Sequence, residues 1–97
     1  MKNMIINTKR WVQIFKLFAN INRVKIIMLL QQKGRLNVTD ISDDIGISLK
    51  SASKHLVMLD RFDVINGEGK SGHVFYILNS NMPVDIKQVI SLFIKPK

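Results

Sequence analysis

The chain has 97 residues, 46% of them hydrophobic, which is enough for one domain with a single compact core. Its 15 lysines and arginines outnumber its 7 aspartates and glutamates, and a net charge of +8 is typical of proteins that bind a polyanion such as nucleic acid, although an ordinary solvated basic surface would carry the same charge. The complete absence of cysteine excludes disulfide frameworks, thiolate zinc sites and cysteine nucleophiles.

Two helices are predicted in the first third of the chain. Apolar residues recur at helical spacing over 8–18. Asn20 is a candidate N-cap for a second helix, which ends at Gly34 because glycine adopts the conformation that stops a helix. The side chains expected on the buried side of this second helix are Val24, Ile27, Met28 and Leu30.

A helix-turn-helix is predicted in the middle of the chain. After a short strand stub, Asn37, with Thr39 as the alternative, is a candidate cap for a third helix that runs to about Ile45. Gly46 permits a tight turn, and Ser48 caps a fourth helix that stops near Arg61. The buried positions expected are Val38, Ile41 and Ile45 in the third helix and Ala52, Leu56 and Leu59 in the fourth.

A β-hairpin and a last helix complete the predicted fold. β-Branched and aromatic residues indicate strands over 63–66 and 73–78, and three glycines indicate a flexible loop over 67–72. A proline opens a final helix over 83–95. The order helix, helix, stub (35–37), helix, helix, hairpin, helix is that of a winged helix-turn-helix, so the predicted fold class is mainly α (α+β).

Three segments, in this order, resemble repressors of the ArsR type. FANINRVKII at 18–27 is similar to the LADPTRLRIL pattern of that family. IGISLKSASKHLVML at 45–59 is similar to its LGLSQSTVSRHLKVL pattern. The segment 64–78 matches the family's wing, whose last strand follows the pattern VYYxL. Together the three segments cover roughly residues 15–79, most of the chain.

The resemblance implies one winged helix DNA-binding domain over 1–97 that acts as a homodimer, and we expect residues 1–7 to be flexible. Helices over 8–19 and 83–95 would form the dimer. The residues point the same way, because the apolar faces of these two helices exceed what a monomer would bury. The alternative is that the two helices simply pack on each other within one chain. The candidate interface residues are Trp11, Phe15, Phe18, Val89, Ile90 and Phe93.

The resemblance places the recognition helix, 48–60, in the major groove of double-stranded DNA, and the wing, 66–73, on the flanking minor groove or backbone. Lys50 and Lys54 lie four residues apart on one helix face and can reach phosphates or guanine edges. Leu49 stands where the family usually has glutamine, and leucine can only contact a thymine methyl group or pack inside. The candidate DNA-binding residues are Ser48, Lys50, Ser51, Ser53, Lys54, His55 and Lys70.

Several side chains have an alternative role that the sequence leaves open. Lys70 could be an ordinary solvated turn residue, and His55 could pack and hydrogen-bond at the base of its helix. Arg23 matches a family arginine and could contact a phosphate or lie on the helix surface. The acidic edge of the third helix, within 40–44, would repel phosphate, so we expect it to face away from DNA.

The motifs by which many members of the family sense metals are absent. The third helix has NVTDI at 37–41 in place of a Cys-x-Cys motif, and the last helix has one acid and no histidine. We therefore predict no metal site and no cofactor. With one glutamate, no nucleophile elbow and no phosphate-loop motif, we also predict no catalytic residue and no enzyme activity.

The predicted function is sequence-specific transcriptional regulation, as a repressor whose effector would be an unidentified protein or small molecule. No apolar run approaches the ~20 residues that span a bilayer, and the start of the chain does not read as a signal peptide, so we expect a cytoplasmic location and no membrane partner. The alternatives are a winged helix that binds protein or RNA, and a DNA-binding antitoxin or accessory regulator whose signal is a protein.

Overall fold

The computed structural model describes residues 2–94, and within them the side chains of 7–69 and 71–94. None of the helices in this described part of the chain combines the length and apolarity needed to cross a membrane. The elements in chain order are α1 (Lys2–Phe18), α2 (Ile21–Lys33), β1 (Leu36–Asn37), α3 (Val38–Ile45), α4 (Leu49–Arg61), β2 (Ile65–Lys70), β3 (His73–Leu78) and α5 (Val84–Ile90). This is the predicted winged helix-turn-helix.

Three side-chain caps begin α2 and the two helices of the helix-turn-helix, α3 and α4. The side chain of Asn20 accepts hydrogen bonds from two amides of the first turn of α2, and that of Asn37 accepts one from the amide of Asp40 at 2.8 Å. Ser48 Oγ accepts from the amide of Ser51 at 3.0 Å. Each cap satisfies an amide that the helix itself leaves without an acceptor. The predictions at these three positions are confirmed.

The turn between α3 and α4 depends on one glycine. Gly46 has φ 79° and ψ 40°, the left-handed conformation that side chains with a Cβ adopt only at a cost. Its amide and that of Ile47 both donate to the carbonyl of Ser42, at 2.9 and 3.1 Å, and so close the end of α3. The chain can therefore enter α4 within three residues, as the sequence predicted.

The wing is a tighter hairpin than its glycine content predicted. β2 continues through Gly67 and Gly69 to pair in antiparallel register with β3, so the predicted loop over 67–72 is wrong. Only Ser71 and Gly72 form the turn, both with positive φ, as a two-residue hairpin turn of type I′ requires. Backbone pairing requires no side chain, so a glycine-rich sequence can still be a strand. A Cβ at Gly67 would lie 3.3 Å from the ring of Tyr76.

The sheet has the order β1-β3-β2, with β3 in the centre. Leu36 of β1 pairs with Tyr76, and Ile65 of β2 pairs with Leu78. The two-residue β1 thus connects the wing to the segment that leads directly into α3.

The core lies where α2, α3, α4 and the sheet meet. Ile27 and Leu30 are buried as predicted, whereas Val24 is half-buried and Met28 is 48% exposed, because α2 turns Ile26 inward instead. Val38 and Ile45 were also expected inside but are half-buried at the edge of the core. The buried apolar side chains are Ile14, Leu17, Ile26, Ile27, Leu30, Ile41, Ala52, Leu56, Leu59, Val64, Ile65, Ile86 and Ile90.

The two terminal helices contact each other within one chain. The rings of Phe18 and Phe93 meet edge to face with centroids 6.0 Å apart. Arg10 binds both carboxylate oxygens of Asp85, at 3.0 and 3.1 Å, and this hydrogen bond holds the pKa of Asp85 below its ordinary value. α1 begins before the predicted start at residue 8, and α5 ends before the predicted end at residue 95. The flexibility expected for 1–7 is a separate property from this helical conformation and stays a prediction.

We expect Gly46→Ala to lower the free energy of unfolding by about 1–2 kcal/mol, because an L-residue is strained at this positive φ. Gly69→Ala is the matched control, since Gly69 has no positive φ and no atom within 4 Å of an added Cβ. Urea denaturation of the two variants measures the difference. Equal losses in both would show that the turn does not depend on the left-handed glycine.

Candidate nucleic-acid interface

The outward face of α4 is fixed by what its inward face buries. Ala52, Leu56 and Leu59 are 0–1% exposed, so the residues between them on the helical wheel must face outward. Lys50 and Lys54 are accordingly exposed. A cleft of about 480 Å³ on this face is lined by Lys50, Ser53, Lys54, Val57, Met58 and Arg61, none of which is acidic. The sequence analysis had not placed Arg61 in the site.

The N-terminus of α4 also lies on the surface. Ser48 is exposed, and its Oγ accepts a hydrogen bond from the amide of Ser51. The amide of Ser51, a half-buried residue, therefore already has an acceptor. The first-turn amides of Leu49 and Lys50 have no intrahelical acceptor, which is the arrangement that binds an anion at a helix N-terminus. The Leu49 side chain is 50% exposed, so it does not pack inside as one reading of the sequence allowed.

His55 is less exposed than Lys50 and Lys54 on the same helix, and its ring contacts Arg23. Nη1 of Arg23 lies 3.3 Å from Nδ1 of His55, and the imidazole is half-buried. Burial, and then the charge of Arg23, lower the pKa of His55 from its ordinary value of 6.5. Both effects favour the neutral ring, so at neutral pH the interface presents an uncharged imidazole at this position.

Arg23 joins three helices through one guanidinium group. Its Nε donates to the carbonyl of Leu17 at 2.6 Å and its Nη2 to the carbonyl of Lys16 at 3.0 Å, both in the last turn of α1. These carbonyls have no partner within the helix, and a cation is favoured at a helix C-terminus. Burial lowers the pKa of Arg23, yet a guanidinium remains charged. From the sequence, this arginine was expected on the helix surface or at a phosphate.

A second basic element lies at the wing. The Arg35 guanidinium carbon lies 4.5 Å from the centre of the Phe75 ring, a cation–π contact. Arg35, Ser71, His73 and Phe75 line a cleft of about 450 Å³. Arg35 was not among the predicted site residues because its partner lies 40 positions away, although a cation next to a predicted strand was a usable signal. The Lys70 side chain lies outside the described residues, so its predicted contact stays a prediction.

The acidic edge of α3 is separate from these two basic clefts. Asp40, Asp43 and Asp44 are exposed and none of them lines either cleft. Nζ of Lys33 lies 3.1 Å from a carboxylate oxygen of Asp44. A surface pair of this kind contributes at most about 1 kcal/mol, so its main effect is to neutralise one acid.

The candidate dimer residues fall into two groups. Phe15 is 61% exposed and stacks on Trp11 with ring centroids 5.6 Å apart. Ile90 is nearly buried in the chain's own core, and Phe18, Val89, Phe93 and Trp11 are half-buried at its edge. Further exposed apolar side chains on the same two termini are Val12, Val84 and Leu92.

Comparison with known proteins identifies the fold and the class of protein. The model of the arsR family of bacterial regulatory proteins matches residues 20–66, which span α2 to the start of β2. The transcriptional repressor SdpR of Bacillus subtilis is 33% identical over 72 residues, which are 74% of this chain and 79% of SdpR. The chain belongs to the ArsR family. As an ArsR-family protein it is a regulator of transcription and not an enzyme.

Two further relatives agree with this assignment to the ArsR family. The arsenical resistance operon repressor of Escherichia coli is 28% identical over 79 residues, covering 81% of this chain and 68% of the repressor. The structure of reduced HlyU from Vibrio cholerae superposes with a TM-score of 0.73 at 29% identity, over 95% of this chain and 93% of HlyU. The resemblance that the sequence suggested is therefore confirmed, as is its winged helix-turn-helix fold.

Within the residues whose side chains are described, no three His, Asp or Glu side chains come together to hold a metal ion. This ArsR-family chain also lacks the cysteines of the family's third-helix motif. The absence of a metal site stays a prediction.

Stability should fall as the pH drops below about 6.5, in part through His55. Because its pKa in the folded protein lies below that in the unfolded chain, the unfolded state binds the proton first, and the stabilisation present above pH 6.5 is lost in acid. His55→Gln should make the free energy of unfolding less dependent on pH between 7.5 and 5, measured by urea denaturation. Asp85 does not titrate in this window, because its hydrogen bond with Arg10 holds its pKa below the ordinary value.

Proposed function

We propose that this ArsR-family protein is a sequence-specific repressor that binds double-stranded DNA as a homodimer. The observation that carries the proposal is the exposed basic face of α4, with Lys50, Lys54 and Arg61 around one cleft and no acid among its lining residues. Such a face suits the major groove, where base edges and phosphates are both within reach of lysine and arginine side chains. The sequence identity to SdpR, a transcriptional repressor, supports repression over activation.

In this proposal α4 is the recognition helix. Ser51 and Ser53 are short, so the helix can lie deep in the groove, and Ser48 with the free first-turn amides can hold a phosphate at its N-terminus. Leu49 replaces a polar reader of bases and would contact a thymine methyl group. A two-fold dimer would place two such helices ~34 Å apart, in successive major grooves.

The wing would contact the flanking minor groove or backbone. Arg35 lies over the ring of Phe75 beside the turn, and this cation–π contact favours one orientation of its guanidinium group. Lys70, which pairs with His73 across the hairpin, would add a second cation to the wing. Contacts of this kind fix the position of the protein on the duplex without reading its sequence.

The homodimer would form through the exposed apolar residues of the two terminal segments. Phe15 and Leu92 are 61% and 83% exposed, more than large apolar side chains on a monomer's helices usually are. Half-buried Phe18, Val89 and Phe93 extend the same surface. We further propose that the regulator senses no metal, that its effector is an unidentified protein or small molecule, and that it acts in the cytoplasm.

The proposal predicts that Lys50→Ala and Lys54→Ala weaken binding to the native duplex, which is the DNA upstream of the protein's own gene, mainly at low salt. Each substitution removes two charges from a dimer, so the slope of log affinity against log salt should become shallower by about two. Fluorescence titrations at ~50 and ~200 mM salt measure the slope. Lys25→Ala on α2 is the matched control, because Lys25 lines neither cleft and its loss changes the net charge equally.

Equal and weak binding of the wild-type protein to the native duplex and to a scrambled one would contradict the proposal. The same titration with single-stranded RNA separates the remaining candidates. Tighter binding to RNA than to either duplex would indicate an RNA-binding winged helix, and no binding to any nucleic acid would indicate a protein-interaction module.

A second prediction concerns the dimer. Phe15→Ser should raise the dimer dissociation constant at least about 100-fold, since two phenylalanines each lose about 1.5–3 kcal/mol of burial across a two-fold axis. Sedimentation equilibrium measures the change. Val74→Ser, an exposed apolar residue on the wing, is the control and should leave the dimer intact. Identical association of both variants would show that α1 is not the interface.

A further inference from the structure

We propose that Arg23 is a positioning residue for DNA recognition: it holds His55 in the tautomer that carries its proton on Nε2, and this N–H donates to a backbone phosphate of the operator. The inference rests on the proposed DNA-binding function and deepens it. It assigns roles to two residues, one of which lies outside α4.

The geometry fixes the direction of the Arg23–His55 hydrogen bond. A guanidinium group has only donors, so the nitrogen it faces must accept. That nitrogen is Nδ1 of His55, 3.3 Å from Nη1 of Arg23. A neutral imidazole that accepts at Nδ1 carries its proton on Nε2. The lowered pKa of His55 agrees with a neutral ring at neutral pH.

Nε2 is the free end of the ring. It has no hydrogen-bond partner among the described residues, and no buried side-chain nitrogen or oxygen among those residues lacks a partner. Nε2 must therefore be open to solvent. His55 follows Lys54 on a helix whose exposed face is basic, so a phosphate attracted by that face would find an N–H donor at its edge.

Arg23 is itself held in place, which is what allows it to position another group. Its Nε and Nη2 donate to the carbonyls of Leu17 and Lys16 at the end of α1, and only Nη1 remains for His55. A planar fork can serve three acceptors at once, whereas a lysine ammonium at the same position acts as a point charge. The tautomer of the ring on α4 is thus set by the end of a terminal helix.

Nitrogen-15 NMR of the imidazole in the free wild-type protein tests the first half of the inference, with exposed His73 as the internal reference. We expect His55 to populate the Nε2–H tautomer predominantly, and Arg23→Lys to convert it to a mixture. A predominant Nδ1–H tautomer in the wild type would overturn this inference. It would leave the proposed function standing, because the NMR measurement contains no DNA.

DNA titrations test the second half. His55→Leu should lower affinity for the native duplex at least about tenfold with an unchanged salt slope, because the lost donor is neutral and only its hydrogen bond to a charged phosphate disappears. His55→Gln, whose amide can donate from a similar position, should recover most of the affinity. His55→Leu binding as well as the wild type would overturn the inference while the lysine results still upheld the proposed function.

A double-mutant cycle separates positioning from a purely structural role of Arg23. If Arg23 acts through His55, Arg23→Lys should weaken DNA binding on its own but add no further loss to His55→Leu. Additive losses would overturn the inference. Thermal unfolding confirms that each variant is folded at the assay temperature. If Arg23→Lys does not fold, the inference is tested by the tautomer of His55 in the wild type and by the DNA affinities of His55→Leu and His55→Gln. Wild-type protein that does not distinguish the native duplex would overturn the proposed function itself, and this inference with it.

Discussion

Burial of one narrow face of α4 is the constraint on which the rest of the interface depends. Ala52, Leu56 and Leu59 are almost wholly excluded from solvent, and a helix advances by a fixed angle per residue, so their burial determines which side chains face outward. The small Ala52 also lets neighbouring helices approach closely. The left-handed turn at Gly46 then fixes where this helix begins. The chemistry of the surface is therefore a consequence of the packing beneath it.

The guanidinium group of Arg23 adds a polar counterpart to this packing. It neutralises the carbonyl end of α1 and contacts a side chain of α4, so the terminal helix and the recognition helix share one side chain of α2. Any shift of α1 on assembly or on binding an effector would strain the same three hydrogen bonds. The helix proposed to read DNA is thus connected to the helix proposed to form the dimer by a short chain of contacts.

The features that the sequence predicted are those whose causes lie within a few residues. The caps at Asn20 and Ser48 and the turn at Gly46 each act inside one helical turn, so composition and spacing were sufficient. The strand through Gly67 was missed because its stability comes from backbone pairing with β3. The contact of Arg23 with a residue 32 positions away was missed because a long polar side chain finds its partner only when the core has brought the helices together.

The short strand β1 has a consequence for the DNA. Asn37 lies opposite Phe75 in the pairing of β1 with β3 and also caps α3, so no residue separates the strand that pairs with the wing from the helix-turn-helix. If the recognition helix and the wing form one rigid unit, the distance between them does not change when the protein binds DNA. The DNA must therefore bend or twist to fit the protein. We expect preferred operators to contain flexible pyrimidine–purine steps, which deform easily, at positions that no side chain contacts.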